Sequence, residues 1–243
     1  MRAVKWRRAL IGDMTRLSQL RDTHEHIFVP DRIDDETVLN NDLERTFPGL
    51  SYSSEQLEPI KNILKVYANV NREIGYMQGM CFIAFVLYHT YSNDDLDHVV
   101  VDTYYSLTRL VGFIRPIYPV HSRDPKPTEF LDNMSKLIRL KIIYKHPKLA
   151  RKLNNLDYIR TLIIRTAPAL FANYFTMDDT KILWDYIIDG DIFENILSCY
   201  CAILVCNKDI YLHMNDEKIY TFILTPCFYR VASIVSAAYA FRS

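Results

Sequence analysis

The sequence predicts an all-α fold. Six glycines occur in 243 residues, and no Asn-Gly or Asp-Gly turn sits between alternating segments that could pair as strands. Apolar residues recur at helical spacing instead. Leu57, Ile60, Leu64 and Tyr67 fall at offsets 0, 3, 7 and 10, and Leu131, Met134, Ile138 and Ile142 at 0, 3, 7 and 11. Capping pairs agree with this period: Ser53 with Gln56, and Asp191 with Glu194, each put a short polar side chain three residues ahead of a longer one at a helix start.

Taken in order, Met1-Arg-Ala-Val-Lys-Trp-Arg-Arg8 lacks the apolar core of a signal peptide. Leu39-Asn-Asn-Asp-Leu-Glu-Arg-Thr-Phe-Pro48 reads as a helix that Pro48 and Gly49 stop. Ser53 opens the helix leading to Asn71-Arg-Glu-Ile-Gly-Tyr-Met-Gln-Gly-Met80, and the apolar run Cys81-Phe-Ile-Ala-Phe-Val-Leu87 follows. Prolines at 116, 119, 125 and 127 make Arg115 to Thr128 the clearest break, since Pro fixes φ and has no N–H to donate. We read it as a connection between two helical lobes of one domain, about residues 1–120 and about 128–243. Ile182-Leu-Trp-Asp185 is a buried helix ending near Gly190, where Asp191 starts the next. Phe222 to Phe241 could mimic a membrane span, but Pro226, Arg230, Ser233 and Ser236 interrupt it, so one or two buried terminal helices are expected. No internal repeat or low-complexity tract is evident.

Composition narrows the function. The 29 basic and 29 acidic residues cancel, so the basic excess of a nucleic-acid binder is missing. Five cysteines, at 81, 199, 201, 206 and 227, form no Cys-x-x-Cys pair and leave one over in any pairing, which reads as free, mostly buried thiols in a reducing compartment. His24 and His26 stand two apart, pointing to different sides of a helix, so no zinc site is expected. No Gly-x-Ser-x-Gly elbow, Gly-rich phosphate loop or His-Glu-x-x-His occurs. The expected location is cytoplasmic, without an anchor of the protein's own.

Two segments carry candidate chemistry. Asp42 and Arg45 stand i, i+3 on a helix, the spacing of an ordinary solvated ion pair. The same geometry lets a carboxylate orient a guanidinium until a phosphate shares the contact, a task for which Lys lacks the planar fork. Gln78 lies between Met77 and Gly79 ahead of an apolar run. It is either a satisfied amide at a helix end, with Gly79 a packing point, or a directed one, with glycines leaving room for another molecule. An arginine and a glutamine are the side chains that GTP hydrolysis needs, one for charge and one for water.

In combination these segments resemble the TBC domain of Rab GTPase-activating proteins. That family carries Ile-x-x-Asp-x-x-Arg-Thr, Tyr-x-Gln-Gly-Met and an apolar-Trp-Asp helix ending in Gly. This chain has Leu39-x-x-Asp42-x-x-Arg45-Thr46, Tyr76-x-Gln78-Gly79-Met80 and Trp184-Asp185 with Gly190, in that order. Arg2-Ala-Val-Lys-Trp6 through Leu10-Ile-Gly12 is similar to the family's opening, and Lys145-His-Pro-Lys-Leu149 to its Pro-x-Leu segment. Leu39 replaces the usual Ile and Ala3 the usual Gly. The Trp that many members place before the Trp-Asp helix has no counterpart in Ile164-Arg-Thr-Ala-Pro168. With Met1 almost on the first motif, no flanking regulatory or lipid-binding region is expected.

The resemblance implies a multi-helix TBC-type domain whose partner is a Rab-family small GTPase in the GTP-bound state. Arg45 would enter the nucleotide site and neutralise developing charge, and Gln78 would orient the attacking water. Asp42 would hold Arg45; Tyr76 and Gly79 would set the backbone that presents Gln78, and Thr46 completes the arginine signature. The family implies no cofactor and no metal of its own, with GTP and Mg²⁺ carried by the partner. It also implies no nucleic acid, no direct membrane insertion, and peripheral recruitment to endomembranes in vesicle trafficking. Two readings stand beside it: a Rab-binding scaffold without catalysis, and a helical interaction module in which Asp42, Arg45 and Gln78 are ordinary surface features.

Overall fold

The computed structural model describes residues 1–24, 30, 32–46, 53–94, 96–118, 126–225 and 230–242. Among them are fourteen α-helices, two short 3₁₀ turns and no strand, as the period and the scarcity of turn signals predict. The chain divides into two compact units, Met1–Asp124 with Pro168–Met177, and Pro125–Ala167 with Asp178–Ser243.

The first unit contains α1 (Arg2–Leu10), α2 (Met14–His24), α3 (Glu36–Arg45), α4 (Ser54–Val70), α5 (Met80–Ser92) and α6 (Val99–Ile114). Its centre is α5, whose apolar run leaves no polar face. Met80, Cys81, Ile83, Ala84, Phe85, Val86 and Leu87 are all buried, and α1, α3, α4 and α6 pack around them. Helix α4 begins with the expected capping box. Ser53 Oγ accepts from the Gln56 N–H and Gln56 Oε1 accepts from the Ser53 N–H. An ionic cluster ties the N-terminal helices to α6. Arg7 donates to Asp102 and to Asp94, both at 2.5 Å, and Arg21 donates to both oxygens of Asp102 at 3.0 and 2.7 Å. Asp102 is fully buried, so these donors replace the water it has lost.

The second unit contains α7 (Lys126–Lys145), α8 (Pro147–Lys152), α9 (Asp157–Thr166), most of α10 (Met177–Ile187), α11 (Ile192–Cys206), α12 (Lys208–His213), α13 (Asp216–Ile223) and α14 (Val231–Tyr239). Here α11 is the apolar centre, packed on α7 and α14. Asp191 caps it by accepting from the Glu194 N–H at 3.0 Å, as the pairing predicts. The α10–α11 turn is closed by Asn195, whose Nδ2 donates to the carbonyls of Tyr186, Ile187 and Asp189 at 3.0–3.1 Å. The Tyr186 carbonyl also accepts from the Asp189 N–H at 3.2 Å, so the amide adds to the backbone bonding that closes the turn.

The proline-rich break is shorter than expected. Pro116 lies in a 3₁₀ turn, Arg115–Ile117, and α7 begins at Lys126, so Pro127 falls in its first turn. Pro is tolerated there because the first N–H groups of a helix have no internal acceptor. Pro48, Gly49, Pro119, Pro125, His26 and Cys227 lie outside the described residues. Phe222 to Phe241 spans the end of α13 and all of α14, and no described helix is long and apolar enough to cross a membrane. Cys81, Cys199 and Cys201 are free and buried.

Candidate functional site

Helix α3 buries Leu39, Asp42 and Leu43 on one stripe. Thr46 continues that stripe as the C-cap, its hydroxyl donating to the Asp42 carbonyl at 2.7 Å. Arg45 occupies the last turn but off the stripe. It is exposed and makes no hydrogen bond or ion pair with any described residue. A cation suits that position, because the helix ends in unpaired carbonyls.

The glutamine segment is built between α4 and α5. The Asn71 carbonyl accepts from the N–H groups of Ile74 and Gly75, both at 2.9 Å, which turns the chain back after α4. Gly75 sits at φ +66, where a Cβ would lie 2.7 Å from Asp35 Oδ2. The chain then runs through Tyr76, Met77 and Gln78 to Gly79, the N-cap of α5 at φ +104. A Cβ on Gly79 would meet the Pro168 backbone at 3.0 Å. Gly79 is buried, and Pro168 is also the acceptor for the Tyr118 hydroxyl at 3.1 Å. Gln78, next to it, is exposed and unpartnered among the described residues. The space that Gly79 frees is therefore filled by the chain's own backbone, and not left open to another molecule.

Asp42 joins the two segments. Its Oδ2 accepts from the Tyr76 hydroxyl at 2.5 Å, the Gly79 N–H at 2.8 Å and the Cys81 thiol at 3.0 Å. This corrects the expected pairing of Asp42 with Arg45. With Asp42 only 6% exposed, its oxygen needs donors inside the protein, and the solvated guanidinium of Arg45 does not supply one. Burial pushes both the Tyr76 hydroxyl and the Cys81 thiol far above their ordinary pKa, with Asp42 adding to the effect, so both stay protonated as donors. Thr46 Oγ1 lies 2.9 Å from Cys81 Sγ and completes a closed polar network.

Of the six expected site residues, Asp42, Thr46, Tyr76 and Gly79 are joined by direct hydrogen bonds, and Arg45 and Gln78 are the chain neighbours of Thr46 and Gly79. Arg45 projects from the same helix end. Sequence reasoning missed Cys81 and Pro168. Cys81 stands three residues after Gln78 in an apolar run, where it looks like any small core residue. Pro168 is distant in sequence and no local signal points to it. It opens a tight segment in which Leu170 and Phe171 adopt φ +46 and +67, an uncommon conformation for bulky residues. Both are buried, so packing holds them there.

Among the described residues no cluster of His, Cys, Asp and Glu could hold a metal.

The sequence profile of the Rab-GTPase-TBC domain matches residues 17–226. Mouse "TBC1 domain family member 13" is 28% identical over 160 residues, covering 63% of this chain and 39% of that protein. Human "Growth hormone-regulated TBC protein 1" is 26% identical over 160 residues, covering 63% of this chain and 44% of that protein. The chain therefore matches less than half the length of either relative. Among solved structures, the Ypt/Rab-GAP domain of Gyp1p superposes with a TM-score of 0.70 at 19% identity, over 99% of this chain and 91% of its own. The Chlamydomonas flagellar RabGAP TBC domain superposes at 0.67 and 16% identity, over 98% of this chain and 78% of its own. At these identities the superpositions establish the fold.

Proposed function

The chain belongs to the Rab-GTPase-TBC domain family, and from that premise we propose that it accelerates GTP hydrolysis by a Rab-family small GTPase, supplying Arg45 and Gln78 in trans. One observation carries the reading. Arg45 and Gln78 are exposed and uncommitted among the described residues, while the groups behind them are buried and bonded to one another. Both side chains are therefore free to meet a partner, and they flank the buried network that joins the two segments.

In this reading the Arg45 guanidinium forks onto the γ-phosphate and the bridging oxygen, where charge accumulates as the phosphoryl group departs. The Gln78 amide orients the attacking water. Asp42 acts through its neighbours, holding the Gly79 backbone N–H and the Tyr76 side chain on either side of Gln78. GTP and its Mg²⁺ arrive with the GTPase in its GTP-bound state.

The test is phosphate release from a panel of GTP-loaded Rab proteins with wild type, Arg45→Ala and Gln78→Ala. An arginine supplied in trans is worth roughly 10³–10⁵ in rate, about 4–7 kcal/mol of barrier, so Arg45→Ala is expected to abolish acceleration with the helical fold retained. Acceleration that survives both substitutions overturns the two-residue mechanism. GTP-dependent binding without any acceleration replaces it with a scaffold.

A further inference from the structure

Between Asp132 and Asp157 the chain carries seven Lys and Arg residues and no carboxylate, although the whole sequence balances 29 of each sign. This run forms the C-terminal part of α7 and all of α8, which packs on α7. Met134, Ile138 and Ile142 mark the buried side of α7. At about 100° per residue, Glu129, Asn133, Lys136, Leu137, Leu140, Ile143 and Tyr144 share an arc of about 120° on the opposite side. A surface helix normally presents polar residues there. Here Leu137, Leu140, Ile143 and Tyr144 are 42%, 53%, 37% and 85% exposed.

The cations of the run fall into two groups. Lys141 pairs with Glu194 at 2.8 Å and Lys152 with Asp216 at 3.3 Å. Arg139 donates to Asn154, and Lys145 to the Ala240 carbonyl. Lys136, Lys148 and Arg151 are exposed and make no hydrogen bond or ion pair with any described residue.

We propose that this outer face of α7, with the exposed cations of α8, binds the surface of an anionic phospholipid bilayer. The four apolar side chains dip among the acyl-chain ends, and Lys136, Lys148 and Arg151 contact headgroup phosphates and carboxylates. A tyrosine suits that boundary, with its ring in the apolar layer and its hydroxyl in the wet one. A fluid bilayer accepts a convex helix face, whereas a protein partner needs a matching groove. The contact is peripheral, needs no spanning helix, and does not depend on the activity of Arg45 or Gln78.

The experiment is co-sedimentation of the chain with vesicles of phosphatidylcholine alone and of phosphatidylcholine with phosphatidylserine. Wild type is compared with Lys136→Glu/Lys148→Glu/Arg151→Glu and with Leu140→Asp/Tyr144→Asp. Binding is expected on the anionic vesicles, with sensitivity to salt and little affinity for the neutral ones. A cation near an anionic surface contributes about fivefold, so reversing three is expected to weaken binding about a hundredfold or more. The apolar pair is expected to lose binding that low salt does not restore. Tyr144→Trp reads insertion directly, its emission shifting to the blue on anionic vesicles. Circular dichroism of each variant separates loss of the site from loss of the fold. No binding by a folded wild type, or binding unchanged in both multiple variants, overturns the proposal. Capture by polyglutamate with no vesicle binding overturns it in favour of an acidic protein.

Discussion

Three donors converge on a single oxygen of Asp42, and each of them is constrained by where that oxygen sits. Tyr76 and Gly79 bracket Gln78, so the carboxylate holds the Tyr76 side chain on one side of the exposed amide and the Gly79 backbone N–H on the other. Gly79 is limited further by its φ of +104 and by Pro168. Gly79→Ala is expected to destabilise the protein by about 1–3 kcal/mol, the range for a strained non-glycine residue, read as a lower urea midpoint. If the proposed function holds, it should also lower the stimulation of Rab GTP hydrolysis beyond what lost stability explains, because the shift is passed to Gln78. An unchanged midpoint would mean that both the Pro168 segment and the backbone at residue 79 relax to accept a side chain. The i, i+3 spacing of Asp42 and Arg45 was legible in the sequence, but the direction of the carboxylate was not. Spacing fixes which residues are neighbours on a helix; burial fixes which way a polar group must turn to find donors.

At the scale of elements, the helices and their caps were readable because they rest on local chemistry. Ser53 and Gln56 satisfy each other across one turn, and Asp191 and Glu194 repeat the N-terminal half of that device. Ser53→Ala is expected to cost about 0.5–2 kcal/mol, seen in chemical unfolding. The effect should fall at the small end of that range, since the Ser53 contact is long at 3.4 Å and exposed. The closure of α10 by Asn195 was not foreseen, because the three carbonyls it serves come together only when the turn has folded. Helix α7 shows the limit of periodic reading. Leu131, Met134, Ile138 and Ile142 identified one apolar face, yet the sequence could not say whether Leu137, Leu140 and Tyr144 would meet another helix or solvent.

For the whole molecule, each unit is organised about one helix that is apolar on every side, α5 in the first and α11 in the second. Around α5 the outer helices need a polar tie as well, which Asp102 supplies to Arg7 and Arg21. Asp102→Asn removes the charge that two buried or half-buried guanidinium groups face. It is expected to cost about 3–5 kcal/mol, lowering the thermal midpoint by roughly 10 °C for a chain of this size. A midpoint within a degree or two of wild type would show that water replaces the carboxylate. The sequence by itself determined the helical class and the helix starts at Ser53 and Asp191, because these depend on residues within a few turns of one another. Tertiary structure alone decided that Asp42 serves the glutamine segment, that Pro168 fills the space beside Gly79, and that Leu137, Leu140, Ile143 and Tyr144 are exposed among the described residues. Each of those depends on which distant surfaces close over a residue, and solvent exclusion is a property of the packed chain.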